Sequence, residues 1–301
     1  MKILVIFTGG TIGSRITGGW ISPDGNTAYS LISDFKANSS TPVNFVCREP
    51  YFVLSENLSA ENLNLLISEL KNALSEDFDG IIVTHGTDTL HYSAIAAEIS
   101  LKAELPIIFV SANYPIADER SNGRDNFAAA VDFICRKRAN GVFIAYKNYG
   151  EQVRFHIPHK TLAYAEADDR IYSIEQSAFT PHMPLKGFTF CEKPHILVIT
   201  AVPCDSFDYD LTKYKAVIMR PYHSGTLNTA NAAFKTFCDC AQSLYLPIFL
   251  ADAPAGTTYE TVKDYRTLGI KPLSAIPFSY AYMRIWAGIS LKEDLNTVFD
   301  E

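Results

Sequence analysis

The sequence predicts an α/β protein with a mostly parallel open sheet and helices on both faces in a large N-terminal domain, followed by a smaller α/β domain. Short apolar runs at residues 3–7 and 81–83 alternate with stretches of helical periodicity, which is typical of βαβ units. A stretch with several prolines at residues 178–194 looks like a hinge or linker, and a second alternation follows it.

The elements of the first domain follow from apolar spacing. Strands are predicted from short apolar runs at residues 3–7, 79–84, 107–110 and 142–145. Ser59 is predicted to cap a helix. The apolar residues of that helix recur at the spacing of one face: Leu63, Leu66, Ile67, Leu70 and Leu74. Two further helices are expected at residues 91–102 and 122–138.

The second domain repeats the pattern on a smaller scale. Its predicted elements are strands at residues 196–200, 217–219 and 247–250 and a helix at residues 228–242. We expect the large domain at residues 1–185, a linker at residues 186–193 and the smaller domain at residues 194–301.

Composition argues against two classes of partner. The 301 residues carry a net charge of -7, whereas a nucleic-acid-binding protein needs a basic face. No run approaches the ~20 apolar residues of a membrane helix, and Met1-Lys2 leads into a strand without a signal-peptide pattern. We therefore expect a cytoplasmic protein with reduced cysteines. Cys238-Asp239-Cys240 has no second pair or histidine cluster to complete a metal site.

Two Gly-Thr turns carry the strongest functional signal. Thr11 follows Gly9-Gly10 after the first strand, and Thr87-Asp88 follows Gly86 after the strand that ends at residue 84. Ligands of open α/β sheets bind at such carboxyl ends, and a threonine hydroxyl can act as a nucleophile. A structural interpretation stays open for each turn: Thr11 or Asp88 could simply cap the element that follows.

Weaker candidates lie in three polar segments. Lys160 can activate a hydroxyl only if its pKa is lowered, and a solvated lysine is the alternative. Ser55 and Glu56 could hold the charged ends of an amino acid, or could form a loop that leads to the cap at Ser59. The segment 13–29 contains glycines without periodicity, which favours a mobile lid beside Thr11.

The motifs together resemble those of bacterial L-asparaginases, and are closer to the cytoplasmic type I branch than to the periplasmic type II branch. The matching segments are Thr8-Gly9-Gly10-Thr11-Ile12-Gly13, His85-Gly86-Thr87-Asp88-Thr89-Leu90, the patch around Ser55, Asn122-Gly123-Arg124-Asp125-Asn126-Phe127 and Arg220-Pro221-Tyr222-His223-Ser224-Gly225-Thr226. The resemblance implies hydrolysis of L-asparagine to L-aspartate and ammonia without a cofactor or metal. It also implies a homodimer or homotetramer.

The resemblance assigns roles to several of these residues. Thr11 corresponds to the nucleophile. Thr87, Asp88 and Lys160 correspond to the second threonine, the aspartate and the lysine that activate water. Ser55, Glu56 and Gly86 are assigned to substrate binding.

Two positions depart from the family pattern. The family lid normally carries a catalytic tyrosine, and here Trp20 falls on that position, although an indole cannot accept a proton. Tyr29 is the second lid candidate. Glu56 replaces the serine or glutamine that family members often carry, which should change substrate preference.

Two alternatives remain open, and a third is disfavoured by the sequence. A glutaminase-asparaginase would accept L-glutamine, because one methylene discriminates by only ~1–3 kcal/mol. The asparaginase-like subunit of an archaeal-type tRNA amidotransferase would carry an extra N-terminal module and a basic surface, and we expect neither, because Met1-Lys2 leads directly into the first strand. A catalytically weak homologue would bind amino acids without hydrolysing them. His85 and His159 are interpreted as structural or positioning residues.

Overall fold

The computed structural model describes residues 1–23, 25–163, 170–174, 180, 184–256 and 258–300. The chain divides into two compact units, of which the first holds residues 1–173 and the second continues from Phe188 to the C-terminus. The proposed boundaries and linker at residues 186–193 stay a prediction. Residues 178, 179 and 181–183 of the predicted interdomain stretch lie outside the described residues.

The first unit is built on a six-stranded sheet in the order β4-β1-β5-β6-β7-β8. All its neighbouring strands are parallel except β7 and β8. Two small antiparallel pairs, β2-β3 and β9-β10, accompany it. The strands are β1 (Lys2–Phe7), β2 (Ser14–Thr17), β3 (Trp20–Pro23), β4 (Asn44–Arg48), β5 (Gly80–Thr84), β6 (Pro106–Val110), β7 (Gly141–Tyr146), β8 (Arg154–His156), β9 (Thr161–Ala163) and β10 (Ile171–Ser173).

Helices cover both faces of this sheet, and the predicted fold class is confirmed. The helices are α1 (Gly25–Asn38), α2 (Ala60–Leu74), α3 (Leu90–Ser100) and α4 (Gly123–Cys135). α1 packs against α4, and α2 packs against α3. Each residue of β5 is buried, as expected for a parallel strand that is covered on two sides.

The second unit is a four-stranded parallel sheet in the order β11-β12-β13-β14. Its elements are β11 (Ile196–Thr200), β12 (Ala216–Arg220), α5 (Ala232–Ser243), β13 (Ile248–Ala253), β14 (Ile270–Ser274) and α6 (Phe278–Leu291). The helix predicted from residue 228 begins four residues later, because the Asn231 side chain caps it by accepting from the amides of Ala233 and Phe234.

The segment 13–29, in which the lack of periodicity predicts a glycine-rich lid loop, contains regular elements instead. β2 and β3 form an antiparallel hairpin, and α1 begins at Gly25; Asp24 lies outside the described residues. Gly18 and Gly19 connect the two strands with φ of 59° and 86°. Two consecutive residues at positive φ produce the tight turn whose twist matches a hairpin. The glycines therefore shape a regular element.

Candidate active site

The site lies at the carboxyl ends of β1 and β5. The chain leaves β1 for β4 on one side and later enters β5 on the other side, so the strand order reverses between β1 and β5. Ligands of open α/β sheets bind in the crevice outside such a point. Both Gly-Thr turns lie there, since residues 8–11 follow β1 and residues 85–87 follow β5.

The first turn depends on glycine at two positions. Gly9 and Gly10 have φ of 99° and 75°, a region that favours glycine. The Gly10 amide donates to the Val53 carbonyl at 2.9 Å, and the Val53 amide donates to the Thr8 carbonyl at 3.1 Å. A Cβ on Gly9 would lie 2.2 Å from the Val53 carbonyl oxygen. The turn is therefore held against the segment that leads to Ser55.

The second turn touches the first through the backbone. A Cβ on Gly10 would lie 2.1 Å from the Gly86 Cα, and a Cβ on Gly86 would lie 2.5 Å from the Ser55 Oγ. No side chain fits at such distances, so three segments that are remote in sequence meet where glycine permits contact. Thr11 and Thr87 directly follow the two glycines, so each threonine is one residue away from the contact between the two turns.

Both threonines are available to a ligand. Thr11 and Thr87 are half-buried, and neither hydroxyl has a hydrogen-bond acceptor within the part of the chain that the structure describes. Thr11 begins a one-turn 3-10 helix whose cap position is Gly10, so the interpretation of Thr11 as a cap is wrong. Gly10 occupies the cap position, where its backbone lies against Gly86.

Asp88 is tied to the Ser55 segment. The Ser55 hydroxyl donates to the Asp88 Oδ2 at 2.9 Å, and the Thr89 hydroxyl donates to the Ser55 carbonyl at 2.9 Å. Thr89, rather than Asp88, occupies the cap position of α3, so the interpretation of Asp88 as the helix cap is wrong. Its exposed carboxylate faces Ser55 instead. Glu56 follows on the same 3-10 turn and is exposed.

Lys160 ends a third 3-10 turn, Pro158–Lys160, which packs against α3. The neighbouring His159 anchors this turn, because its amide and its Nδ1 contact the two oxygens of Glu98 at 3.0 and 2.7 Å. Asp88 lies just before α3, whereas Glu98 lies near the other end of that helix, more than two helical turns away. The catalytic role of Lys160 stays a prediction.

The two lid candidates lie in different elements. Trp20 begins β3 at the hairpin turn, and 79% of its surface is exposed. Tyr29 belongs to α1, and its ring centroid lies 4.9 Å from that of Phe7, the last residue of β1. Burial, together with the nearby Cys47 and Glu49, raises the pKa of the Tyr29 phenol. A raised pKa makes Tyr29 a weaker acid and a hydrogen-bond donor at neutral pH.

A buried network supports the second turn, and spacing in the sequence gives no signal for it. The His85 ring contacts the Gly86 carbonyl through Nδ1 and the Ser93 hydroxyl through Nε2, both at 2.9 Å. The Ser111 hydroxyl donates to the His85 carbonyl at 2.7 Å. Burial lowers the pKa of His85 to about 4 against opposing effects of the Gly86 carbonyl and Asp88. The imidazole is therefore neutral at pH 7.

The described residues contain no cluster of histidine, cysteine or acidic side chains that could hold a metal ion. All six cysteines are free thiols, and Cys238 is buried whereas Cys240 is exposed. Among the described helices, none is long and apolar enough to cross a bilayer.

The arrangement suits acyl transfer on a small polar substrate. Two hydroxyls supply nucleophile candidates, and the amides of the two turns supply donors for a developing oxyanion. The Asp88 carboxylate beside Ser55 supplies a partner for an ammonium group.

Sequence comparison identifies relatives of the first unit. The family model described as asparaginase, N-terminal, matches residues 2–156, just over half of the chain. The D subunit of glutamyl-tRNA(Gln) amidotransferase from Archaeoglobus fulgidus is 35% identical over 141 residues, which cover 46% of this chain and 31% of that protein. Its counterpart from Methanobrevibacter smithii is 36% identical over 141 residues, 44% of this chain and 31% of its own length. The match thus spans less than a third of these relatives.

Structural comparison extends over both units. L-asparaginase I from Vibrio cholerae has a TM-score of 0.77 at 19% identity, covering 99% of this chain and 95% of that chain. The thermostable L-asparaginase from Thermococcus kodakarensis has a TM-score of 0.76 at 19% identity with the same coverage. These likenesses show the fold, and the sequence match adds the ancestry: the chain belongs to the asparaginase family.

Proposed function

We propose that this protein hydrolyses the side-chain amide of L-asparagine to give L-aspartate and ammonia, in the manner of type I asparaginases. The supporting observation is the backbone contact between Gly10 and Gly86, the residues that directly precede Thr11 and Thr87. Family membership supports amide hydrolysis, and the substrate is our inference.

In the proposed first step, the Thr11 Oγ attacks the side-chain carbonyl carbon of the substrate. The new C–O bond gives a tetrahedral oxyanion, and amides of the two turns stabilise it by ~3 kcal/mol per donor. The C–N bond then breaks, and the proton from the Thr11 hydroxyl leaves with the nitrogen as ammonia. A β-aspartyl ester on Thr11 remains.

In the second step, water attacks the ester carbon, and Thr87 passes one water proton to the relay of Lys160 and Asp88. When the ester C–O bond breaks, the relay returns a proton to the Thr11 oxygen, which restores the hydroxyl and releases L-aspartate. Ser55 and Glu56 bind the α-carboxylate and the α-ammonium of the substrate. The Ser55 hydroxyl donates to Asp88, so the substrate-binding serine is hydrogen-bonded to the aspartate of the proposed relay.

The lid assignment follows from the positions of the two aromatic residues. We assign the closing role to the hairpin that carries the exposed Trp20. The indole N–H of Trp20 can donate a hydrogen bond to a ligand, but the ring cannot accept a proton. Tyr29 packs on Phe7 and serves as the alternative. We further propose that the protein is cytoplasmic and needs no cofactor. We also propose a homodimer or homotetramer, and light scattering measures this oligomeric state.

The decisive experiment replaces each threonine hydroxyl with a methyl group. We expect Thr11→Val and Thr87→Val each to lower ammonia release from L-asparagine by about a thousandfold or more, because each removes a reacting group. Thr236→Val is the matched control, since Thr236 is exposed on α5 and bonds only its own helix. Near wild-type turnover in either site variant would contradict the mechanism.

Substrate range separates the proposal from its alternatives. L-Asparagine, L-glutamine and D-asparagine are compared in the same ammonia assay, and equal rates on the first two amides indicate a glutaminase-asparaginase. Calorimetric binding of L-asparagine without turnover indicates an amino-acid-binding homologue.

A second candidate, the amidase component of a tRNA-dependent amidotransferase, is favoured by the 31–36% identity to the D subunits of such enzymes. It predicts that ammonia release from L-glutamine requires a partner protein. Release by the purified chain alone would favour the hydrolase.

A further inference from the structure

His85 is held in place at its backbone as well as at its ring. Its amide donates to the Val110 carbonyl at 2.9 Å, and its carbonyl accepts from the Ser111 hydroxyl at 2.7 Å. The Asn126 side chain on α4 in turn donates to the Ser111 carbonyl at 2.8 Å. With 2% of its surface exposed, His85 cannot contact a ligand directly. Any role in the site must therefore act through its neighbours.

The two ring contacts fix one tautomer. A carbonyl oxygen can only accept, so the Nδ1 that contacts the Gly86 carbonyl carries the ring proton. Nε2 is then an acceptor, and the Ser93 hydroxyl donates to it from α3. Ser93 is fully buried, so water does not compete for this bond. The imidazole thus links α3 to the second turn in one orientation.

That orientation has a consequence for the Gly86–Thr87 peptide. None of the described peptide bonds is cis, and in a trans peptide the carbonyl and the following N–H point in opposite directions. Because His85 holds the Gly86 carbonyl, the Thr87 amide must point away from the buried ring. Within the described ranges, that amide has no acceptor.

We infer that His85 is a positioning residue, which sets the Gly86–Thr87 peptide so that the Thr87 amide faces the substrate carbonyl. The inference rests on the proposed function, in which this amide receives the developing oxyanion. His85 transfers no proton in this role. Its burial lowers its pKa to about 4, and the neutral ring keeps the same hydrogen bonds across the physiological pH range.

Two substitutions separate geometry from simple loss of the ring. In His85→Asn the side-chain amide can take the place of Nδ1 and donate to the Gly86 carbonyl, whereas in His85→Gln it takes the place of Nε2. We expect kcat to fall about tenfold or more in His85→Gln with KM changed less than about twofold, since only the transition state needs the donor. His85→Asn should stay within about threefold of wild type.

The matched control is His156→Gln. His156 is a second buried histidine, and its Nδ1 contacts the Ser173 hydroxyl at 2.8 Å. Its replacement should leave kcat within about twofold of wild type, because its ring is bonded to Ser173 and not to the Gly86 carbonyl. Equal losses in His85→Asn, His85→Gln and His156→Gln would overturn the inference, since they would indicate a general packing effect.

A spectroscopic readout tests the geometry without catalysis. In ¹⁵N-threonine-labelled protein, with Thr87 assigned from Thr87→Val, the Thr87 amide resonance should move in His85→Gln and stay near its wild-type position in His85→Asn. If His85→Gln does not fold, the ¹⁵N spectrum of the wild-type imidazole replaces it, and this spectrum should show a single Nδ1–H tautomer. An unmoved Thr87 resonance in His85→Gln, or an Nε2–H tautomer in the wild-type protein, would refute the positioning role. A wild type that releases no ammonia refutes the proposed function and leaves this spectral test in force.

Discussion

Gly10 and Gly86 meet through bare backbone, and this contact determines where Thr11 and Thr87 lie. The Cα of Gly86 fills the volume into which a Cβ on Gly10 would project, at 2.1 Å. The neighbour is main chain within a hydrogen-bonded turn, so it cannot rotate away as a side chain would. Glycine is therefore required at position 10 for the two turns to meet, whatever the chemistry of the neighbouring side chains.

This requirement gives a prediction with a close control. We expect Gly10→Ala to lower the free energy of unfolding by at least about 4 kcal/mol or to prevent folding, because backbone overlap adds to the strain of a positive φ. Gly150→Ala provides the control: Gly150 has nearly the same φ, 76° against 75°, but a Cβ there would meet nothing within 4 Å. It should cost only about 1–2 kcal/mol. Urea unfolding measures both, and equal losses would contradict the overlap.

At this scale, the sequence predicts the positions of some site residues but not their bonds. Glycine before Thr11 and Thr87 predicts two turns at strand ends, and the structure places both turns together. The bond from Ser55 to Asp88 could not be predicted, because it joins side chains 33 residues apart. Ser93 supports His85 from inside α3, and a serine there has no distinguishing local pattern.

Among the secondary-structure elements, the start of α2 after Ser59 is well predicted by the sequence. Ser59 accepts from the Asn62 amide at 3.2 Å, and the Asn62 side chain accepts from the Ser59 amide at 3.1 Å. This reciprocal pair is a capping box, which confirms the predicted cap. The prediction succeeds because both partners lie within four consecutive residues.

The capping box gives a prediction for α2. Ser59→Ala should lower the free energy of unfolding by about 1 kcal/mol, since the orphan amide of Asn62 loses its acceptor. Ser75→Ala at the other end of the helix is the control, because the Ser75 hydroxyl makes only a 3.5 Å contact to the Lys71 carbonyl. Its effect should stay within about 0.5 kcal/mol. Denaturant titration compares the two, and a larger loss in Ser75→Ala would contradict the assignment.

The hairpin β2-β3 shows where element prediction fails. Its apolar and polar residues give no period, and the two glycines at its turn also suit an irregular loop. The consecutive pair Gly18-Gly19 is the signal that favours a two-residue hairpin turn. Helices α1 and α6 are not predicted by the sequence analysis either. Local periodicity therefore predicts only part of this fold.

At the scale of the whole molecule, three buried histidines give the first unit a pH-dependent stability. Burial lowers the pKa of His85 and His156 to about 4 and that of His91 to about 3, from an ordinary value of 6.5. The unfolded chain binds protons below pH 6.5 at sites that the folded chain keeps neutral. Stability is therefore complete above pH 6.5 and is lost as the pH falls toward 4.

We expect the free energy of unfolding to fall between pH 6 and pH 4.5 by up to about 4 kcal/mol per pH unit, if all three histidines contribute fully. Urea titrations at pH 7.5, 6 and 5 measure this slope. His156→Gln should reduce the slope by about a third, because one of the three proton uptakes is removed. Equal stability at pH 7.5 and pH 5 would show that these histidines are not neutral in the folded protein.

The pairing of β1 with β5 links the proposed catalysis to the register of the sheet. Phe7 is paired with Thr84, and the two turns extend from these residues. A slip of two residues would keep every side chain on its proper face, yet would displace one turn by about 6.6 Å relative to the other. Such a chain would be compact, with ordinary strand and helix content, and would be catalytically silent. Specific activity per folded molecule is therefore a quality measure for refolded preparations that spectroscopy of secondary structure cannot replace.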